Sequence, residues 1–414
     1  MSDPIDTRQE RDAVEFLVRF ARAAHEAGYP TSELESRVRT VGRVVGLSPV
    51  EVSATPTVIE LIVGSIAQQR SFTLRTTPSS VDLDRTSRLD ALVAALTDGA
   101  MSIEEARSRL EEIERGRLDR PFLVGVLAYG VASSSLAVVL GGGWREAVAA
   151  VFVGLAVGLV ALVRLGGVRG EQSDVVRAPI AALVASLAAG SIVWTGLDAA
   201  PDRVTLAALV VMLPGMTLTI GMRELATNHL LSGLSNTAAA LIRLLGLVFG
   251  VAAGAALAER LYGDPQLGTL DAFSDAAVLA AAVVSGLAFV VTLRAPSRDA
   301  LFTCTAALLA VSASLVTTPV VGDAAGVFVA ALAVGLAGSL LARTLRRSPL
   351  VFIVPGVLVL VPGSAGFQSA SDLLEGRTVR GVDAAIDTLV TALAIVYGLI
   401  MATILLPEER PEDA

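Results

Sequence analysis

From Phe122 onward, apolar segments follow one another almost without pause, and that run restricts the chain to very few architectures. Ten candidate spans begin near Phe122, Ala147, Ala178, Val204, Thr237, Ala276, Ala300, Ala324, Leu350 and Val382. Each has roughly the 17 to 25 residues an α-helix needs to cross ~30 Å of hydrocarbon. Composition agrees: 53% of the 414 residues are hydrophobic, 17% are charged, and the mean hydropathy is +0.68. Soluble globular domains rarely approach that balance. The net charge is −8 and every basic residue is Arg, with no dense basic stripe to neutralise phosphates, so nucleic acid is not an expected partner. Cys304 stands alone in an apolar run and reads as a packing residue. His25 and His229 lie far apart in sequence, so neither a metal site nor a cofactor is expected.

Before Pro121 the chain reads as a small soluble α+β domain, residues 1–121 in the order α-α-β-β-α-α. AVEFLVRFARAAHEAG predicts an amphipathic helix ending at Gly28, and TSELESRVRTVGRVVG a second that opens on an N-cap Thr or Ser and ends at Gly46. TVIELIVGS and SFTLRTT are β-rich and closely spaced, which predicts a hairpin. Two more helices follow, the second opening on Ser102 and Glu105 at capping-box spacing. MSDPIDTRQERDAVEF has neither a basic leader nor an apolar core, so no cleavable signal is expected and the N-terminus is placed in the cytoplasm.

With that orientation the inner loops hold Arg164, Arg169, Arg177, Arg223, Arg294, Arg298, Arg343, Arg346 and Arg347, and the outer loops Arg145, Arg203, Arg260, Arg377 and Arg380. The bias follows the positive-inside rule and puts both termini in the cytoplasm of a multi-pass protein of the plasma or inner membrane. The membrane part divides into a first five-helix repeat, 122–260, and a second, 274–406, followed by a tail, 407–414. Shifting the second half back by 148 positions (361 − 213) lays VPGSAGFQSASDL on LPGMTLTIGMREL. Pro214 then meets Pro362, Gly215 meets Gly363, Glu224 meets Asp372, Leu225 meets Leu373 and Gly233 meets Gly381. Five spans is an odd number, so the second copy enters the membrane upside down. The expected fold class is therefore an α-helical polytopic membrane protein, with ten transmembrane helices as two inverted five-helix repeats behind a small cytoplasmic α+β domain. Inverted repeats are typical of secondary transporters, which hold solute between them with broken helices.

A Pro-Gly pair frees backbone groups at membrane depth, where they are tolerated only if buried in protein or lining a wet cavity. An isolated pair reads as a kink repaired by neighbouring helices; two related copies trailed by polar residues point to solute binding. Pro355 and Gly356 add a third pair. Thr217, Thr219, Ser364, Gln368 and Ser369 can contact a small polar solute, or equally make interhelical hydrogen bonds. Arg223 and Glu224 read as a gate or as an exposed ion pair of little energetic consequence, with Asp372 at the equivalent place in the second half. Asn228, His229 and Asn236 continue this amphipathic link. Arg243 lies about two turns into its span, and Asp383 and Asp387 stand at i and i+4 on the last one. Charge inside a membrane usually faces a partner, a cavity or an ion path. Arg243 thus reads as a carboxylate ligand, and the two aspartates as proton carriers or as structural partners of an arginine. Asp275, Asp299 and Asp323 near span starts read as helix caps.

These segments resemble the threonine/serine exporter family over nearly the whole chain. The resemblance is carried by FLVRFARAAHEAGYPTSELESRVRTVGRVVGL, VSATPTVIELIV, SFTLRTTPSSVDLDR and MSIEEARSRLEEI, then by LPGMTLTIGMRELATNHLLSGLSNTAAALIR and FIVPGVLVLVPGSAGFQSASDLLEG. It implies a ten-span carrier exporting L-threonine and L-serine, driven by the proton motive force, with Pro214, Gly215, Glu224, Gly233, Arg243, Pro362, Gly363 and Asp372 as motif matches. Related members made as two chains are associated with dicarboxylate export, so export of a dicarboxylate such as succinate is one alternative. A membrane receptor sensing through the N-terminal domain is another. No enzyme motif stands out: Asp383 and Asp387 share one helix, unlike an intramembrane aspartyl protease, and no P-loop suggests ATP-driven transport. The expected partners are a small solute, protons and lipid, with a homo-oligomer permitted by the small residues from Gly250 to Gly254.

Overall fold

Apolar residues at helical spacing shape the first part of the chain. In the computed structural model α1 (Thr7–Glu26) buries Val14, Leu17, Phe20, Ala21 and Ala24, and the chain turns at Gly28, whose φ of 84° favours glycine. α2 (Thr31–Val44) starts one residue earlier than a Thr or Ser cap allows: Pro30, extended at φ −56° and ψ 146°, is its N-cap and makes no side-chain cap bond, and Gly46 at φ 83° stops it. A three-stranded antiparallel sheet follows in the order β1 (Val50–Ala54), β2 (Val58–Val63), β3 (Arg70–Arg75). Leu61 pairs with Phe72 across β2 and β3, and with Val52 across β1 and β2. β1 is an addition to the two strands read from sequence. It is short and buries only Ala54 fully, so its alternation is weak, yet a third strand gives the sheet a stable width. α3 (Leu83–Thr97) and α4 (Ile103–Arg115) complete this part, and the capping box forms: the Glu105 amide donates to Ser102 Oγ at 3.2 Å and the Ser102 amide to Glu105 Oε2 at 2.9 Å.

The helices that follow run in the same order twice. First come α5 (Phe122–Val139), α6 (Trp144–Leu162), α7 (Glu171–Ser191), the pair α8 (Pro201–Leu209) and α9 (Gly215–Ala226), and the long α10 (Leu230–Tyr262). Then come α11 (Asp275–Thr292), α12 (Ala300–Val321), α13 (Asp323–Leu345), the pair α14 (Leu350–Leu360) and α15 (Pro362–Leu374), and the long α16 (Thr378–Leu405). The structure describes residues 7–66, 69–76, 81–116, 120–163, 171–263, 273–345, 348–360, 362–374 and 376–406. Arg164, Arg169, Arg346, Arg347, Val361 and the tail 407–414 lie outside the described residues.

Among the described residues seven helices are long and apolar enough to cross a membrane: α5, α6, α10, α11, α12 with the turn before it, α13 and α16. An eighth candidate is the pair Pro201–Met212 and Gly215–Ala226, bent by 58° at the first Pro-Gly. Two further apolar helices, Val176–Ser191 and Leu350–Leu360, are shorter than the ten spans expected from sequence. The protein is a mostly helical multi-pass membrane protein, with seven or eight such spans among the described residues.

The turns that start α10 and α16 match in detail. The His229 amide donates to the Glu224 carbonyl at 2.8 Å, and 148 residues on (229 + 148 = 377) the Arg377 amide donates to the Asp372 carbonyl at 2.8 Å. Asn228 and Gly376, again 148 apart, both take positive φ, 65° and 77°. Gly250 sits so close to α7 that a Cβ would strike the Pro179 carbonyl, and at Gly398 (250 + 148) a Cβ would stand 2.7 Å from the Phe328 carbonyl of α13. The small residues at Gly250 and Gly254 are thus used for packing within the chain, against Pro179, Ala182, Leu183 and Ser186.

The core of the N-terminal part does not end at Pro121. The cluster built on Phe16, Leu17, Phe20, Leu34, Ile59, Leu61 and Leu110 continues into Val290, Ala295, Leu350 and Val354, at one end of the helical bundle. The N-terminal part therefore rests directly on the ends of α11 and α14.

Candidate functional site

The first Pro-Gly places a cavity where it breaks the helix. Between α8 and α9 the chain passes through a 3-10 turn, Val210–Met212, and Pro214 at φ −78°, ψ 35° precedes Gly215, the first residue of α9. Met212, Leu213, Pro214, Met216, Thr217 and Ile220 line a cavity of about 310 Å³ there. Other helices supply Tyr129, Asn236, Arg243, Thr292, Val354 and Leu358. The N-terminal part completes the wall with His25, Gly28, Tyr29, Thr31, Pro56 and Val81. A volume of that order suits a small polar solute rather than a macromolecule.

Three lining residues can carry charge. Glu224 ends the broken helix with only 1% of its surface exposed, and both carboxylate oxygens accept hydrogen bonds. Oε1 takes the Thr31 amide at 3.0 Å and Oε2 takes Asn236 Nδ2 at 2.7 Å. Arg243 stands on α10 thirteen residues after its start (243 − 230), since α10 begins at Leu230 rather than near Thr237, and its side chain is exposed. Among the described residues Arg243 has no ion-pair or hydrogen-bond partner. His25 lies within hydrogen-bond distance of the Thr55 carbonyl, 3.2 Å from Nε2; since a carbonyl only accepts, Nε2 carries the proton. Burial lowers the His25 pKa, with the Thr55 contact and Glu26 acting the other way, so the ring is neutral at pH 7. Tyr29 is fixed behind it, its hydroxyl 2.7 Å from Asp90 Oδ1, and burial pushes that hydroxyl's pKa well above the usual range.

Of the residues singled out in sequence, Pro214, Thr217, Glu224, Asn236 and Arg243 come together on this cavity. Gly215 is buried beside it at the break, and Thr219 is buried with its hydroxyl donating to the Gly215 carbonyl at 2.9 Å. Arg223, half-buried, does not line it. Nor does the second motif. Pro362 and Gly363 open α15, Ser364 is half-buried, Gln368 is exposed, and Ser369 is buried and donates to the Gly381 carbonyl at 2.7 Å. Asp372 accepts from Arg377 Nε at 2.7 Å. Asp383 and Asp387 share an exposed face of α16, away from the cavity. His229 lies 3.7 Å from Glu35 Oε2, at the contact with the N-terminal part. The sequence reading missed the contribution of His25, Tyr29 and Thr31. The signal within reach was Pro30 before a helix start with no side-chain acceptor of its own.

Two family models divide the chain between them. One described as a threonine/serine exporter matches residues 15–258, and a second of the same description matches residues 278–405. The chain belongs to the threonine/serine exporter family. This is a family of transporters, not of enzymes. The boundary between the models falls between α10 and α11, where the helix order begins to repeat. The threonine/serine exporter of Corynebacterium glutamicum is 25% identical over 410 residues, covering 96% of this chain and 83% of that protein. The probable threonine/serine exporter of Mycobacterium tuberculosis is 26% identical, covering 97% and 78%. Pheromone-regulated membrane protein 10 of Eremothecium gossypii is 23% identical, covering 93% of this chain and 53% of that protein. No solved structure matches.

Proposed function

We propose that the protein exports L-threonine and L-serine from the cytoplasm, coupled to the proton motive force, by alternating access around its two Pro-Gly breaks. One observation carries this reading: the cavity at the first break pairs a cation without a partner among the described residues, Arg243, with one carboxylate, Glu224, among hydroxyl and amide groups. A zwitterion needs that charge set. Its carboxylate goes to Arg243, and its ammonium goes to carbonyls freed at the break or to Glu224. Its hydroxyl goes to Thr217, Thr292 or Asn236. A dicarboxylate calls for a second cation, and His25, the other basic group on the wall, is held neutral by burial. The exporter names of the bacterial relatives agree with an amino acid.

Ten crossings in two inverted halves fit the doubled helix order, with Val176–Ser191 and Leu350–Leu360 plus α15 as the short or broken members. The matched turns at Glu224–His229 and Asp372–Arg377, and the equivalent glycines, support the repeat. Pro362, Gly363, Ser364, Gln368 and Ser369 are then the counterpart site on the outer face. Glu224 and Asp372 are the gating carboxylates, with Arg223 beside the first and Asp383 and Asp387 along the proton path. Both termini lie in the cytoplasm, with the N-terminal part over the inner mouth.

Purified protein in vesicles loaded with labelled threonine or serine tests this directly. Imposing a proton gradient is expected to drive efflux, with threonine and serine competing and succinate not. Absence of gradient-dependent flux for any amino or organic acid overturns the reading, and succinate flux alone replaces the amino acid with the dicarboxylate.

A further inference from the structure

The role of the N-terminal domain is written in how it holds the bundle. It grips two turns, one in each half of the helix order. At the α11–α12 turn the Leu83 amide donates to the Leu293 carbonyl at 3.2 Å, Arg294 pairs with Asp82 at 3.3 Å, and Arg120 donates to the Ala295 carbonyl at 2.7 Å. Packing of Leu293 and Ala300 against the soluble core broadens this attachment. At the α9–α10 turn the contacts are polar and aligned with one helix end, and Met216 near the start of α9 adds one apolar contact with the same core. Pro30 is the N-cap of α2 and offers no side-chain acceptor, so the first amide of that helix, Thr31, is capped instead by Glu224, 193 residues away. A carboxylate at a helix N-terminus is both a charge-assisted acceptor and a partner for the helix dipole. Thr31 Oγ1 and Ser232 Oγ sit 2.6 Å apart beside it, and His229 approaches Glu35 one turn along α2. Glu224 is also the last cavity-lining residue of the helix that follows the Pro-Gly break.

We propose that the N-terminal domain is the cytoplasmic gate of the solute cavity, attached at the α11–α12 turn and latched at the α9–α10 turn by Glu224 capping α2. This rests on the cavity being the solute site and adds the element that covers it. A body fastened to both halves resists their relative movement, so opening requires the smaller attachment to release. Glu224 is then a positioning residue: its bond to Thr31 holds His25, Tyr29 and Thr31 against the cavity, and an arriving ammonium group competes for the same oxygens.

Thr31→Pro removes only the capping amide from the backbone. Proline is well accepted at the first helical position, and Pro30 already has the extended conformation, φ −56° and ψ 146°, that a following proline requires. Thr31→Val keeps the amide and deletes the hydroxyl. A reporter cysteine at Met216, in a Cys304→Ala background, is modified with an impermeant thiol reagent in full-length protein whose cytoplasmic face is accessible. No solute is present, so the readout stands apart from whether threonine or serine is carried. Thr31→Pro is expected to raise the modification rate about tenfold, the factor that ~1.4 kcal/mol represents, and Thr31→Val much less. Equal rates for Thr31→Pro and the parent overturn the proposal. As a second measure, a Thr31→Cys/Ser232→Cys disulfide, in the same background without the reporter, is expected to stop efflux until reduced. Unchanged efflux from fully cross-linked protein overturns it too, while efflux absent even after reduction counts against the solute assignment instead.

Discussion

The proposed recognition of the solute turns on Arg243. It lies far along α10, and no acid among the described residues neutralises it. A guanidinium presents a planar fork of donors that fits a carboxylate. Arg243→Gln keeps hydrogen-bonding capacity and loses the charge. It is expected to weaken efflux at least ~10-fold, the scale of one charge-assisted hydrogen bond, mostly through a higher half-saturating solute concentration. Initial rates across a range of internal threonine measure this, and an unchanged profile refutes the assignment. His25 carries a different kind of consequence. Burial lowers its folded pKa below the ordinary 6.5, so the unfolded chain binds the proton more readily. Stability from this site is present above that value and is lost as pH falls below it towards the folded pKa. Hydrogen-exchange protection of α1, corrected for intrinsic rates, is expected to be weaker near pH 5.5 than near pH 7.5, and the difference to shrink in His25→Gln. Equal protection at both pH values refutes it.

At the scale of elements, the broken helix owes its place to glycine. A Cβ on Gly233 would stand 2.7 Å from the Leu225 amide nitrogen and 2.8 Å from the Gly221 carbonyl oxygen, both backbone atoms of α9 that cannot swing aside. Gly233→Ala therefore has to push α9 from α10, at a cost of ~1–3 kcal/mol typical of overpacking. The expected outcome is a lower melting temperature of the purified protein in micelles, and an unchanged one refutes the packing account. In the second half the same pair of positions, 221 + 148 and 233 + 148, is Ser369 and Gly381, joined by a hydrogen bond. One half uses bare backbone contact where the other uses a hydroxyl, so equivalent positions meet through different chemistry.

For the whole molecule, inversion makes a claim about sidedness. If the halves are inverted, the turn before α10 and the turn before α16 face opposite sides of the membrane. Single cysteines at Thr227 and Thr378, both exposed, separate the possibilities in a Cys304→Ala background. Impermeant reagent is expected to reach Thr227→Cys only from the cytoplasm and Thr378→Cys only from outside. Labelling of both from one face rules inversion out.

Helical period, apolar run length and the Pro-Gly pairs determined the membrane class, the helices of the N-terminal part and the location of the broken helix, because these depend on residues near one another in the chain. The capping box at Ser102 and the turn at Gly28 were legible for the same reason. Strand β1 was not, since five residues with weak alternation gain their stability from pairing with β2. Nor was the N-terminal share of the cavity wall. Thr31 meets Glu224 across 193 residues, and the sequence carried only one side of that contact, a proline where a capping side chain usually stands. Tertiary structure alone decided that Arg243 and Glu224 share a cavity while Asp383 and Asp387 lie apart from it. Spacing within one helix says which residues share a face, and only the packing of that helix on its neighbours says what the face looks upon.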